Sequence, residues 1–173
     1  IELAERRFTV LDTPGHARHH VCYHDDRSNG VFVGDTFGLS YRELDDDTRQ
    51  TIFPATTPVQ FDPAALRTSI DRLLALHPDA LYLTHYGRVH DVARLGTRLH
   101  AMVADFERLA IAHADAGPRR ARLLREGVQA ILLTEAREQD WPLSADQVLE
   151  LFRDDVPLNA AGLESWLEAR HGA

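Results

Sequence analysis

The chain has 173 residues, 44% hydrophobic and 27% charged, enough to bury a sizeable core. Its formal net charge of −8 argues against a nucleic-acid or anionic-membrane partner, whose affinity needs a cationic surface. All 19 basic residues are Arg, which excludes a Schiff-base lysine and a Walker A lysine within this segment.

Cys22 is the only cysteine, so no internal disulfide can form, and a reducing, cytoplasmic setting is expected. No run of about 18 apolar residues is present to span a membrane. Neither G-x-G-x-x-G nor G-x-S-x-G occurs, so dinucleotide binding and a serine-hydrolase elbow have no support.

Residues 1–90 read as β-rich with one helix. Strands are expected near 8–12, 19–25, 31–34 and 81–84. The polar stretch Asp25 to Gly30 suits a hairpin connection between the second and third. Residues 36–61 have no clean period, and Thr51 to Pro58 carry too much Pro and Thr for a central strand. Asp62 then caps a helix with Pro63 in its first position and an apolar face of Leu66, Ile70, Leu73, Leu74 and Leu76.

From residue 91 to 173 the texture is helical, an appended layer or small bundle. Val92, Leu95, Leu99, Met102, Val103, Phe106 and Leu109 recur at helical steps until Gly117-Pro118. A second helix carries Leu124, Val128 and Leu132. Ser144 caps a third over 145–153, and Asn159 is read as the start of the last. Arg119, Arg120, Arg122 and Arg125 form a solvated helix face. His77, His90, His100, His113 and His171 carry no motif.

Three apolar runs end at a possible metal ligand. Phe8 to Leu11 leads into Asp12-Thr13-Pro14-Gly15-His16, Val31 to Val33 into Gly34-Asp35, and Leu81 to Leu83 into Thr84-His85-Tyr86-Gly87. Strands that stop at His or Asp present ligands along one rim of an α/β scaffold. Two imidazoles and a carboxylate suit zinc or iron.

At these motifs the chain resembles the metallo-β-lactamase fold superfamily: Thr13-Pro14-Gly15-His16 its third metal motif, Gly34-Asp35 its fourth, Thr84 to Gly87 its fifth. The resemblance implies an α/β fold in which residues 1–90 are half of an αββα sandwich, followed by a helical extension. It also implies metal ligands His16, Asp35 and His85. Asp35 bridges two metals and is the catalytic candidate. The expected cofactors are two zinc ions, with iron or manganese able to replace them. The implied activity is hydrolysis of an ester, thioester or lactone-type small molecule by a metal-bound hydroxide.

His19, His20 and His24 cluster with Cys22. In an extended strand His20, Cys22 and His24 share a face, and supporting roles are expected for them ahead of a separate metal site. Asp12 either orients the His16 loop or stabilises a turn. Tyr86 either offers a phenol near the metals or packs. The resemblance places Thr56, Thr57 and Phe61 on a pocket loop.

The family's upstream H-x-H-x-D-H is missing, since no His precedes His16. The expectation is therefore the C-terminal half of a larger hydrolase, inactive alone, with the N-terminal half as its partner. Its unpaired apolar face would pack against that half or a second copy. A non-catalytic interaction module and a diiron redox protein are the alternatives. The residues upstream of Ile1 distinguish the first of these from the enzyme.

Overall fold

A computed structural model describes residues 1–46, 48–58 and 60–171. Among them one six-stranded sheet runs in chain order: β1 (Glu2–Leu3), β2 (Arg6–Asp12), β3 (Val21–Asp25), β4 (Gly30–Gly34), β5 (Ala80–Leu83) and β6 (Gly87–Val89). The helices are α1 (Pro63–Leu74), α2 (Val92–Ala112), α3 (Arg120–Glu138), α4 (Ala145–Leu151) and α5 (Asp155–His171).

Strand direction sets where the motifs end. β2 is antiparallel to β3, β3 to β4, and β4 is parallel to β5. Hence β2, β4 and β5 point the same way and finish on one rim, where β3 and β6 begin. The β4–β5 register shifts between Phe32 and Gly34, an irregularity that re-aims the chain where Asp35 follows.

The period of two divides the sheet into unlike faces. Cys22, Val31, Val33, Leu81 and Val89 are fully buried against the helices. On the other face Val10, Tyr23, Phe32 and Tyr82 stand in one cross-strand row. Val10, Tyr23 and Phe32 are exposed there. Phe32 stacks on Tyr82 at 4.8 Å and meets Phe8 at 6.3 Å.

The buried cluster is continuous from Cys22 in β3 to Leu167 in α5. Phe53 joins the parts, with Phe106 of α2 at 5.8 Å and Phe152 at 5.1 Å. Residues 51–58 form no strand beyond a single bridge from Phe53 to Leu39.

Local signals act as their chemistry dictates. The Asp62 carboxylate accepts from the amides of Ala64 and Ala65, with Pro63 opening α1. Ser144 and Gln147 form a reciprocal capping box on α4. One expectation fails: Asn159 does not start the last helix. α5 begins at Asp155; the Val156 N–H is taken by the Phe152 carbonyl, the Leu158 N–H by the Asp154 carbonyl, and Pro157 in the first turn needs no amide partner. Asn159 lies one turn inside and is buried. The short β1 and β6 are further additions. The His171 side chain lies outside the described residues, among which no helix is long and apolar enough to cross a membrane.

Candidate metal centre

The loop from β2 to β3 carries His16. Thr13 N–H donates to the His20 carbonyl at 3.0 Å and closes its base. α1 holds its outer edge: Ser69 Oγ donates to the Pro14 carbonyl at 2.6 Å, and Asp62 N–H donates to the Gly15 carbonyl at 2.8 Å. Gly15 has φ +136°, and a Cβ there would fall 2.3 Å from the Leu66 backbone. Only glycine lets the loop lie this close to α1.

Across the rim, His16 Nδ1 lies 2.8 Å from the Ala55 carbonyl. A carbonyl only accepts, so Nδ1 bears the proton and neutral His16 keeps its lone pair on Nε2. That nitrogen is 3.6 Å from Asp35 Oδ2, while His85 Nε2 is 3.4 Å from Asp35 Oδ1. Asp35 thus turns one oxygen toward each imidazole.

Asp35 follows Gly34, which has φ +53°; a Cβ there would fall 2.5 Å from His20 Nε2. The Asp35 N–H donates to that same nitrogen at 3.2 Å. His20 Nδ1 therefore holds the ring proton, with Thr36 Oγ1 at 2.8 Å and Thr13 Oγ1 at 3.0 Å. Thr36 Oγ1 in turn donates to the Thr13 carbonyl at 3.3 Å. Both threonines are buried. Burial, then the neighbouring His16, lowers the His20 pKa and favours the neutral ring this network requires.

Cys22 Sγ lies 3.1 Å from Thr13 Oγ1. Burial pushes its thiol up to about 11, so it serves as a packed thiol and is a poor ligand. His24 is taken up by Asn29 at 3.0 Å and Asp26 at 3.5 Å, at the far end of β3. His19 is exposed. Of the three histidines only His20 reaches the rim network. Asp12 does not orient His16; its side chain is exposed, 4.0 Å from Arg72 of α1. Thr56 is fully buried behind the pocket, Thr57 lines it, and Phe61 faces a separate groove.

A pocket of about 280 Å³ opens over the three residues, walled also by Tyr41, Tyr86 and Asp155. The Tyr41 ring packs tilted against Tyr86 at 4.3 Å, and its hydroxyl donates to Asp155 Oδ2 at 2.7 Å. Burial raises the Asp155 carboxyl above the ordinary range. Tyr41 and Asp155 were not singled out by the sequence. Tyr41 lies in the aperiodic stretch, and Asp155 reads as an ordinary residue of a helix start.

Among the described residues no three His, Cys, Asp or Glu side chains close into a finished ligand cage. The donor set nevertheless fits a cation. Asp35 Oδ1 is buried without a hydrogen-bond partner, and such an atom requires explanation. Donors about 2.1 Å from tetrahedral zinc stand about 3.4 Å apart, close to the 3.4 and 3.6 Å separations here.

Residues 1–85 match the family model described as metallo-beta-lactamase superfamily. No curated protein matches the chain. Its fold is similar to that of an archaeal metallo-beta-lactamase superfamily protein from Sulfolobus tokodaii, with TM-score 0.56 and 21% identity over 95% of this chain and 48% of that one. A metallo-beta-lactamase family protein from Thermus thermophilus gives TM-score 0.52 and 22% identity over 99% of this chain and 47% of that one. The chain thus spans about half the length of these structures. His16, Asp35 and His85 all lie within residues 1–85, the part of the chain that is similar to the metallo-β-lactamase superfamily.

Proposed function

We propose that the chain supplies part of the active site of a metal-dependent hydrolase acting on an ester, thioester or lactone-type small molecule. His16, Asp35 and His85 are its metal ligands, and two zinc ions are the favoured cofactors, with iron or manganese as replacements. The observation that carries this reading is the Asp35 carboxylate set between two imidazole Nε2 atoms at a strand-end rim. His16, Asp35 and His85 would hold the cations, which would supply Lewis acidity toward a water and the scissile carbonyl.

The chain's own groups then have distinct tasks. Asp35 offers one oxygen to each side. His16 is held in the tautomer that leaves Nε2 free, and His20 fixes the Asp35 backbone. Tyr41, Tyr86 and Asp155 wall the pocket and orient what enters.

Three ligands shared by two ions leave each short of the four that zinc prefers. The remaining ligands are proposed to come from an N-terminal half of the same protein, seated on the Val10, Tyr23, Phe32 and Tyr82 row. The apolar character of that face and the twofold greater length of the matched structures support this partner.

The test uses the chain extended by its native upstream sequence and loaded with zinc. Hydrolysis of aryl ester, thioester and lactone substrates is expected, and Asp35→Ala or His85→Ala should abolish all of it while lowering bound metal. Unchanged metal content and turnover in either variant would remove the basis for the site. The chain alone should bind zinc weakly and show no turnover; tight stoichiometric binding by calorimetry would contradict the shared site.

A further inference from the structure

We infer that Asn159, on the C-terminal helix α5, is a positioning residue for His16. The inference rests on the proposed metal site and adds a part that the rim motifs do not contain. The path has two steps. Thr56 N–H donates to Asn159 Oδ1 at 2.7 Å, and the Thr56 hydroxyl lies 2.7 Å from that oxygen and 3.2 Å from the Asn159 carbonyl. Asn159 Nδ2 is itself fixed, donating to the Asp155 carbonyl at 3.0 Å. The residue before Thr56 is Ala55, whose carbonyl takes the His16 Nδ1 proton at 2.8 Å.

These contacts leave the 55–56 segment little freedom. Thr56 is 0% and Asn159 2% exposed, so water cannot replace a lost partner without the segment opening. One turn along α5, a Cβ on Gly162 would fall 1.4 Å from the Thr56 carbonyl oxygen. The segment therefore lies directly on the helix backbone, and the direction of the Ala55 carbonyl is set by α5.

That direction decides a tautomer. With Nδ1–H bound to Ala55, Nε2 faces Asp35 with a lone pair, as a metal ligand must. If the carbonyl swings away, the proton can move to Nε2 and donate to Asp35 Oδ2, placing a hydrogen where the cation belongs. Asn159 thus acts on the metal site through Thr56, Ala55 and His16, although 143 residues separate it from His16 (159 − 16).

The experiment has two readouts on the chain. Nitrogen-15 imidazole spectra of the metal-free protein report the His16 tautomer, and zinc titration reports affinity. Wild type should show Nδ1–H. Asn159→Ala should show mixed tautomers and a loss of zinc affinity of about 10-fold or more. Asn159→Asp keeps the oxygen that Thr56 uses and should restore the Nδ1–H form. Leu163→Ala, at a buried apolar neighbour on α5, should destabilise the fold and leave both readouts unchanged. If Asn159→Ala does not fold, Thr56→Val removes the hydroxyl at constant volume and should mix the tautomers to a smaller degree. A wild-type tautomer in the folded Asn159 and Thr56 variants, or equal losses in Leu163→Ala, would overturn the inference. Tautomer changes as expected with no zinc binding by wild type, alone or in the upstream-extended chain, would overturn the metal-site reading and leave the positioning role standing.

Discussion

The strand-end rim and the helical layer use polar groups differently. At the rim the groups behind Asp35 are bonded inward: buried Thr13 and Thr36 and half-buried His20 link the ends of β2, β3 and β4. In the helices the charged groups lie mostly outside, as in Arg120 between Glu164 and Glu168, and the inside is aliphatic and aromatic. Exposed pairs of that kind contribute little, whereas a buried network fixes geometry because each orphaned member is costly. The helical layer can therefore tolerate surface change freely, and the rim cannot. The exceptions are Glu135, buried against Arg98 inside the helical layer, and the places where the two regions meet, at Thr56 with Asn159 and at Tyr41 with Asp155.

The sharpest break of this comparison comes from the shared core. Phe152 is 1% exposed and touches Phe53, Tyr41 and Trp141. Phe152→Ala should cost about 3–5 kcal/mol. Denaturant unfolding followed by tyrosine fluorescence and by helical circular dichroism should shift by the same amount. Separate transitions would show that rim and helices do not share one cooperative core.

A smaller effect is expected at the rim itself. Gly34→Ala places a methyl against His20 Nε2 at a backbone angle L-residues disfavour. A loss of about 1–2 kcal/mol is expected from the left-handed conformation, together with weaker zinc binding as Asp35 turns. Thermal unfolding and zinc titration measure the two separately; a stability loss with unchanged affinity would mean that the His20 network does not aim Asp35.

The two regions were also unequally legible. Helical spacing marked α2 and α3, and the Asp62 and Ser144 caps marked α1 and α4, because propensity and packing agree there. At the rim, the order of Thr13 to His16, Gly34-Asp35 and Thr84 to Gly87 foretold a shared location, since parallel strands deliver their ends together. The Ala55 carbonyl was invisible, because any residue type supplies one. Asn159 misled for a physical reason: asparagine before an apolar helical face looks like a cap, yet here the same amide serves a buried tertiary contact 103 residues away (159 − 56).

The open sheet face offers a test that should move association and leave the fold intact. Phe32→Asp puts a charge into the middle of the exposed aromatic row, far from the helix-facing core. Thermal stability should change by less than about 1 kcal/mol, since the side chain is 45% exposed. Concentration-dependent self-association, followed by sedimentation, should fall. An unchanged association state would place the sticky surface elsewhere.

The smallest expected effect lies where helix meets pocket. Burial raises the Asp155 carboxyl above its ordinary value, while the Tyr41 hydroxyl pulls it back down. The folded state then holds the Asp155 proton more tightly than the unfolded state does. Stability should therefore fall as pH rises from the ordinary aspartate range through the raised value, and stay reduced above it. Because the carboxylate is only half-buried, the change should be modest. Asp155→Asn removes the titration and keeps an oxygen for Tyr41. Melting temperatures of the metal-free chain across the acidic range should then lose this step relative to wild type. If the variant instead lost stability at neutral pH and kept the same pH profile, the charged carboxylate would be a net support of the pocket wall, and the helix would contribute electrostatic order to the rim as well as packing.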